Sequence, residues 1–426
     1  MRIKSILGSS LGNILEWYDF GLFAIYSPLF AHLFFPANDP HIALITVLSV
    51  FAIGFLCRPI GALLFGFLGD KHGRVRSLRL SILMISIPTL IVGCLPTYAV
   101  IGIWAPILLT IVRVWQGISL GGEFSGNIIY LSESAPSQHR GLITSLAGAG
   151  ANIGILLASG MSAACSYFLS AAAFASWGWR APYIISGVLC LFVYATRLQL
   201  HETSVFCYLK ENKLLASNPI RTIFKDNIPQ MLRTVGLVCV GGTFYYLCFI
   251  YMTTFLTQNL QFSLSKATSL MTFFIATMII LVPLSGMVCD YFGRRKMLLF
   301  NSVFIALIAI PGFYFMSDHN IVLTFLILSL FTIASSLEQA ATSIAVVENY
   351  PQQARYTGLS FSYNLGVAIF GGTTPLVCEW LTHKTHFLLT PAFYIVACAL
   401  ITGLVTFFFV DETFGKNSIQ HSVSGD

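Results

Sequence analysis

The feature that most constrains the fold is a series of long apolar runs, separated by short segments of Gly, Pro, Asn, Asp and charged residues. A helix needs roughly 20 apolar residues to cross a bilayer, whereas membrane strands alternate apolar and polar residues. Only 9% of the 426 residues are charged, against about a quarter in ordinary soluble domains. The sequence therefore predicts an all-α membrane protein with twelve transmembrane helices. The predicted spans are 8–34, 43–69, 78–96, 100–131, 142–170, 178–199, 231–258, 267–289, 297–316, 320–348, 357–381 and 388–410.

The distribution of Lys and Arg predicts the orientation of these spans. Eighteen of the 23 lie on one side of the predicted membrane, three (Arg180, Lys266 and Lys384) lie on the other, and two fall within spans. Positively charged loops stay in the cytoplasm, so we expect both termini there, in a multi-pass protein of the bacterial inner membrane. Glu16 and Asp19 interrupt the first apolar run, which favours a retained helix over a cleaved signal peptide.

An internal repeat divides the chain. Four patterns of the first half recur in the same order in the second, offset by 220, 215, 215 and 210 residues. Such repeats are typical of transporters built from two six-helix bundles, with the substrate site between them near the midplane. The longest polar interval predicts a cytoplasmic linker at 201–229, between an N-terminal bundle at 1–200 and a C-terminal bundle with a short tail at 230–426. The repeats are Gly66-x-x-x-Asp70-x-x-Gly73-Arg74 with Gly286-x-x-x-Asp290-x-x-Gly293-Arg294, Glu133-x-x-Pro136-x-x-x-Arg140 with Glu348-x-x-Pro351-x-x-x-Arg355, Glu123 with Glu338, and Glu202-Thr203 with Glu412-Thr413.

Several motifs resemble the major facilitator superfamily. The segment from Gly66 to Arg76 is similar to its loop between helices 2 and 3, and Arg113-Val-Trp-Gln116-Gly117 resembles its helix 4 motif. Four further motifs resemble the metabolite:proton symporter family, which includes carriers for proline and betaine, 2-oxoglutarate, citrate and shikimate. The resemblance covers nearly the whole chain, although Val75 replaces a usual basic residue and Ser204 a usual proline. The four motifs are Gly12-Asn13-x-x-Glu16-Trp17-Tyr18-Asp19-Phe20, Arg58-Pro59-x-Gly61, Gly121-Gly122-Glu123 and Trp177-x-Trp179-Arg180-x-Pro182.

Six charged residues lie within the predicted spans. A charge at the centre of a membrane helix costs roughly 2.5–3.5 kcal/mol, so these residues must pair, face an aqueous cavity or change protonation. Helical spacing puts Asn13 and Glu16 on one stripe of helix 1, and Arg113, Gln116 and Glu123 on one stripe of helix 4. We therefore expect helices 1, 2 and 4 to direct their charges at one volume in the first half. The six are Glu16, Asp19, Arg58, Arg113, Glu123 and Glu338.

Proton coupling requires a carboxylate whose proton affinity changes during transport. Our hypothesis is that Asp19 or Glu16 takes the proton, with Arg58 and Arg113 as alternating partners for it and for a substrate carboxylate. The alternative is that both carboxylates form static ion pairs that hold helices together. Three further positions complete the candidate site: Gln116, Asn13 and Tyr18.

Two glutamates at equivalent positions of the repeat have open roles. The position of Glu123 beside Gly121-Gly122 is equally consistent with a role in helix packing and with a role in proton coupling or substrate binding. Glu123 is therefore kept among the candidate site residues. Glu338, its repeat partner, favours a structural role, because residues repeated in both halves often serve the shared architecture.

The two loops that carry the first repeat are candidates for gating. Asp70, Gly73 and Arg74 form one copy, and Asp290, Gly293 and Arg294 the other. An Asp at this position can meet a helix N-terminus across the cytoplasmic face. The resemblance implies that such a loop holds the two halves together in the outward-open state.

The main functional hypothesis is uptake of a small organic solute, such as an amino acid, betaine or carboxylate, with protons by alternating access. A proton-coupled antiporter is the alternative, and a non-transporting sensor is a third. An enzyme is not expected, and no Gly-x-x-x-x-Gly-Lys-Ser/Thr motif for ATP binding is present. We expect a monomer in membrane lipid that needs no cofactor or metal beyond the proton gradient and binds no nucleic acid. Which solute is carried, and whether Na⁺ replaces H⁺, stay open.

Overall fold

The computed structural model describes residues 3–35, 40–317 and 320–413. Two charges used for the orientation, Arg2 and Lys416, lie outside these ranges. Twelve long helices, and no strand, occur in the described part. They are α1 (Ile3–Phe34), α2 (Pro40–His72), α3 (Arg74–Cys94), α4 (Trp104–Ser134), α5 (Arg140–Phe168), α6 (Phe174–Arg197), α7 (Ile228–Asn259), α8 (Leu264–Phe292), α9 (Arg294–Met316), α10 (Ile321–Glu348), α11 (Arg355–Thr385) and α12 (Thr390–Phe409).

Eleven of these helices are long and apolar enough to cross a membrane. The twelfth, α1, has 32 residues and contains two carboxylates, Glu16 and Asp19, within its length. The prediction of an all-α membrane protein with twelve spans is confirmed. The predicted starts of α3 and α9, at 78 and 297, fall four and three residues inside these helices, which begin at Arg74 and Arg294, two arginines that form buried ion pairs.

The two six-helix bundles meet along two helix pairs, α2 with α11 and α5 with α8. Repeated glycines allow these close approaches. A Cβ on Gly66 would overlap the backbone of Thr357, and one on Gly286 would overlap the backbone of Gly141. The same pattern in both halves thus brings one helix of each bundle against the other bundle.

The segment between α6 and α7 contains two short helices. Ser204–Glu211 is capped by the Thr203 hydroxyl, and Pro219–Asp226 by the Asn218 side chain. Phe224 of the second helix contacts Phe361 of α11, with ring centroids 5.3 Å apart. We call the end of the molecule that carries this segment, Gly73 and Gly293 the linker face. The division of the chain into 1–200, 201–229 and 230–426 stays a prediction.

Candidate functional site

A small cavity of about 70 Å³ lies between the two bundles. Its wall from the first bundle includes Trp17, Arg58 and Phe124, and its wall from the second includes aromatic and polar side chains of α7, α10 and α11. Both α7 and α11 contain wide π-helical turns beside it, at Leu247–Tyr251 and Val367–Gly371. Such turns are frequent at functional sites. The side chains from the second bundle include Tyr245, Tyr246, Glu338, Gln339, Tyr363 and Asn364.

Arg58 is a buried cation without an anionic partner among the described residues. No carboxylate oxygen of the described residues lies within 4 Å of its side-chain nitrogens, and its Nε has no hydrogen-bond partner. The guanidinium carbon instead lies 4.5 Å from the ring centroid of Phe55, 5.5 Å from that of Phe20 and 5.9 Å from that of Trp17. Cation–π contacts of this kind stabilise a desolvated guanidinium only in part. Arg58 therefore lines the cavity without an ion pair, and the buried Glu16 carboxylate lies within electrostatic range of its guanidinium.

Asp19 forms a buried polar cluster inside the first bundle. Its carboxylate accepts hydrogen bonds from Thr89 Oγ1 at 3.0 Å and Gln116 Nε2 at 2.9 Å, and Arg113 Nη1 lies 3.4 Å from Oδ2. Gln116 Oε1 in turn accepts a hydrogen bond from Arg113 at 2.7 Å. Three helices, α1, α3 and α4, thus supply one closed network around a single ion pair.

An aromatic layer separates this cluster from Arg58. The guanidinium carbon of Arg113 lies 4.0 Å from the Phe23 ring centroid and 5.8 Å from that of Phe51. Phe51 contacts Phe20 and Phe55, the rings that face Arg58. Phenylalanines therefore pack between the two arginines, although the charges of Arg58, Glu16 and Arg113 still interact. That helices 1, 2 and 4 direct their charges at one volume stays a prediction.

Glu16 differs from Asp19. Its side chain is 1% exposed, and neither carboxylate oxygen has a hydrogen-bond partner. The other helix 1 candidates contact their own bundle. Asn13 Nδ2 donates to the Ala147 carbonyl at 2.6 Å, and the Tyr18 hydroxyl lies 3.4 Å from the Pro182 carbonyl. Asn13 and Tyr18 thus join α1 to α5 and α6.

Glu123 is buried inside the first bundle and forms an ion pair with Arg197, one of the eighteen Lys and Arg residues on the predicted cytoplasmic side. Arg197 donates to Glu123 Oε2 at 2.9 Å and also to Oε1, and Ser81 donates to the same carboxylate at 2.5 Å. The remaining N–H groups of Arg197 reach the carbonyls of Gly8, Ser9 and Leu78. Every donor of this guanidinium is occupied, which is the geometry of a static ion pair.

Four other arginines that are counted among the cytoplasmic loop charges are also buried. Their charge therefore does more than indicate the orientation of the spans. These arginines can be buried because glutamates of the repeated motifs form ion pairs with them. The four are Arg74, Arg140, Arg294 and Arg355, none more than 7% exposed.

At the linker face, two aspartates bind helix N-termini of the opposite bundle. Asp70 accepts hydrogen bonds from the backbone N–H groups of Tyr356 and Thr357 at 3.1 and 2.9 Å, and from the Thr357 hydroxyl at 2.8 Å. Asp290 accepts from the N–H groups of Gly141 and Leu142, both at 2.8 Å. Each carboxylate thus meets the positive end of a helix dipole, and the two contacts are related by the repeat.

Reciprocal ion pairs surround these contacts. Glu133 binds Arg74 of its own bundle at 3.1 Å and Arg355 of the other at 3.2 Å. Glu348 binds Arg294 of its own bundle at 3.2 Å, and Arg140 of the other lies 3.9 Å away. A cavity of about 490 Å³ adjoins both sets. The linker face is closed by polar contacts in this conformation.

The loop glycines allow this closure. Gly73 and Gly293 have φ angles of 111° and 95°, which side-chain-bearing residues rarely adopt. A Cβ on Gly73 would also overlap the carboxylate of Glu202, which accepts the N–H groups of Arg74 and Val75 at 3.1 Å. Burial raises the pKa of the Glu202 carboxyl, although these hydrogen bonds oppose the shift. Glu412 occupies the same place at Gly293.

Sequence reasoning missed the partners in these networks. Arg197 was missed because it adjoins the polar linker, and Thr89 because a lone threonine in an apolar run carries no pattern. The repeat marked Glu133 and Arg355 but gave no sign that they meet across the bundles. Among the described residues, no group of three or more His, Cys, Asp or Glu side chains could hold a metal ion.

Comparisons with known proteins agree with this fold. The model of the Major Facilitator Superfamily matches residues 10–372 and 234–423. The chain is 33% identical over 422 residues to a glycine betaine/proline/ectoine/pipecolic acid transporter of Dickeya dadantii, with 97% of this chain and 84% of the relative covered. It is 35% identical over 425 residues to a putative proline/betaine transporter of Staphylococcus aureus, with 97% and 89% covered. The solved proton:xylose symporter XylE, bound to 6-bromo-6-deoxy-D-glucose, has a TM-score of 0.79 at 16% identity, with 97% of each chain covered.

Proposed function

Because the chain belongs to the major facilitator superfamily and is a multi-pass membrane transporter rather than an enzyme, we propose that it takes up a small zwitterion together with a proton. The substrate class is that of proline and betaine. The observation that carries the proposal is Arg58, an unpaired guanidinium in an aromatic-lined cavity between the bundles. A buried cation without a partner is costly, and a substrate carboxylate is the anion that would compensate it.

Asp19 is the proposed proton carrier. In the conformation described, Arg113 and two hydrogen-bond donors hold its charged form. Loss of the Arg113 contact during the transport cycle would raise the proton affinity of the carboxylate, since burial without a cation favours the neutral form. Glu16 is the second candidate, because both of its oxygens lack a partner.

The orientation is part of the proposal. The excess of Lys and Arg at the linker face supports a cytoplasmic position for that face and for both termini, in a bacterial inner membrane. Closure of the linker face then corresponds to an outward-facing or occluded state. We propose that this state is held by the side chains of Asp70, Arg74, Asp290 and Arg294. We also propose that the protein functions as a monomer.

Uptake into proteoliposomes tests the function. Labelled proline, glycine betaine, a dicarboxylate and xylose are compared under an imposed inward proton gradient, an inward sodium gradient and no gradient. We expect accumulation of the zwitterions with the proton gradient alone. Zwitterion accumulation that needs Na⁺, or export of solute against the proton gradient, would contradict the proposal.

A further inference from the structure

One pair of glutamates at equivalent positions of the repeat has different partners in the two bundles. Glu123 and Glu338 are related by the 215-residue offset of the repeat. In each bundle a polar residue of the third helix donates to this carboxylate. Ser81 donates to Glu123 at 2.5 Å, and Asn301, at an offset of 220, donates to Glu338 at 2.9 Å. The architecture around the two carboxylates is therefore shared.

Only the first bundle places a cation beside this carboxylate. Arg197 neutralises Glu123, and the 210-residue offset that relates Glu202 to Glu412 makes Phe407 the equivalent of Arg197. Phe407 is 55% exposed on the outside of the bundle. Glu338 has two neutral donors, Thr342 at 2.6 Å and Asn301, and no described Lys, Arg or His nitrogen lies within 4 Å of it. The second bundle thus retains a buried carboxylate without its counter-charge.

Glu338 also faces the central cavity, whereas Glu123 does not line it. The opposite wall carries Arg58, the unpaired cation, and no ion pair joins the two residues. A buried carboxyl group without a cation therefore lines the cavity from one bundle, and a guanidinium without an ion pair lines it from the other. The aromatic rings of Tyr246 and Tyr363 also line the cavity, and such rings provide faces that attract cations.

We propose that Glu338 binds the cationic nitrogen of the substrate, while Arg58 binds its carboxylate. The proposal rests on the proposed function and deepens it, because it explains why a zwitterion would be preferred to a simple carboxylate. A substrate held in this way joins the two bundles. Its binding energy then depends on their relative position, which is what alternating access requires.

The test is a comparison of two ligands on one variant. Proline and cyclopentanecarboxylate have the same ring and carboxylate, and only proline carries the ammonium nitrogen. Binding of each is measured on the purified full-length protein by calorimetry without a proton gradient. In the unaltered protein we expect proline to bind more tightly than cyclopentanecarboxylate.

Glu338→Gln is expected to raise the Kd of proline by at least about 30-fold, the lower end of the effect of removing one partner of a buried charge pair. The Kd of cyclopentanecarboxylate should change by less than about 3-fold, since removal of an uncompensated carboxylate costs this ligand no contact. Glu338→Asp keeps the charge and should restore part of the preference. Glu338→Asp also provides the second test variant if Glu338→Gln is poorly folded.

Two outcomes would overturn the proposal. Equal loss of both ligands would make Glu338 a structural residue, and unchanged proline binding with loss of proton-driven uptake would make it a proton carrier. Both leave the proposed function standing if the unaltered protein still accumulates proline. Failure of the unaltered protein to bind or accumulate any zwitterion would instead refute the proposed function itself.

Discussion

Arg355 Nη1 of the second bundle lies 3.2 Å from Glu133 Oε1 of the first, and this buried ion pair closes the linker face. The equivalent pair, Arg140 with Glu348, has a separation of 3.9 Å and borders the 490 Å³ cavity. The two closures are therefore related by the repeat but are unequal in strength. Opening of the linker face must break both.

Arg355→Ala is expected to open the linker face. Removing one partner of a buried ion pair typically costs 3–5 kcal/mol, although Glu133 keeps Arg74 here, so the loss should be at the lower end. Accessibility is measured by maleimide labelling of Ser145→Cys, a buried position that faces Gly286 of the other bundle, in a chain whose exposed Cys94 and Cys207 are replaced by serine. Labelling should become at least 10-fold faster.

Arg140→Ala is the matched control, because its ion pair is longer. It should accelerate labelling by a smaller factor. Faster labelling with Arg140→Ala than with Arg355→Ala would contradict the ranking that the distances predict.

Of the two aspartates that bind helix N-termini, Asp70 should contribute more to closure of the linker face than Asp290. Asp70 accepts three hydrogen bonds and is fully buried, whereas Asp290 accepts two from backbone groups and is 9% exposed. Hydrogen bonds to charged groups contribute about 1.5–3 kcal/mol each. Asp70→Asn should therefore slow uptake and speed labelling at Ser145→Cys more than Asp290→Asn does. Equal effects would show that the extra bond from Thr357 has no influence on closure.

Glu123 and Arg197 are expected to matter for stability more than for selectivity. Glu123→Gln leaves the Arg197 charge buried without its carboxylate, at a cost of about 3–5 kcal/mol. Thermal unfolding in detergent should show a clear decrease in Tm. Glu338→Gln leaves no buried cation without its carboxylate, since only neutral donors contact Glu338, and should leave Tm near that of the unaltered protein. A larger decrease for Glu338→Gln would contradict the contrast between the two carboxylates.

Arg58→Lys tests how the cavity recognises a carboxylate. Arginine presents a planar fork to a carboxylate, whereas lysine presents a compact charge. Lysine also loses contact with the rings of Phe55 and Phe20, which lie 4.5 and 5.5 Å from the guanidinium carbon. We expect KM for proline uptake to rise about 10-fold or more, which corresponds to one lost hydrogen bond to a charged group. An unchanged KM would remove Arg58 from the binding site.

Much of the fold could be predicted from the sequence because the membrane restricts the choices. Apolar runs fixed twelve helices to within a few residues, and the repeat marked Asp70 with Asp290 and Glu133 with Glu348 as equivalent residues. Their positions at the linker face follow that symmetry.

The site could be predicted less well, since helical spacing assigns a side chain to a face but not to a neighbour. The sequence predicts that Asp19 and Arg58 face one volume, but it does not show that Asp19 pairs with Arg113 or that the guanidinium of Arg58 lies against the rings of Phe20 and Phe55. Glu338 was expected to be structural because it repeats Glu123. Only the three-dimensional partners show that Arg197 accompanies the first glutamate and no described cation the second.

The central claim is that Asp19 carries the proton that accompanies the substrate. The most direct measurement is substrate-driven alkalinisation of the medium around cells or proteoliposomes that contain Asp19→Asn, with the unaltered protein in parallel. The account predicts that proline exchange across the membrane persists, since Asp19 lies behind the aromatic layer and outside the cavity lining, and that alkalinisation falls to background. Undiminished alkalinisation in Asp19→Asn would contradict the account.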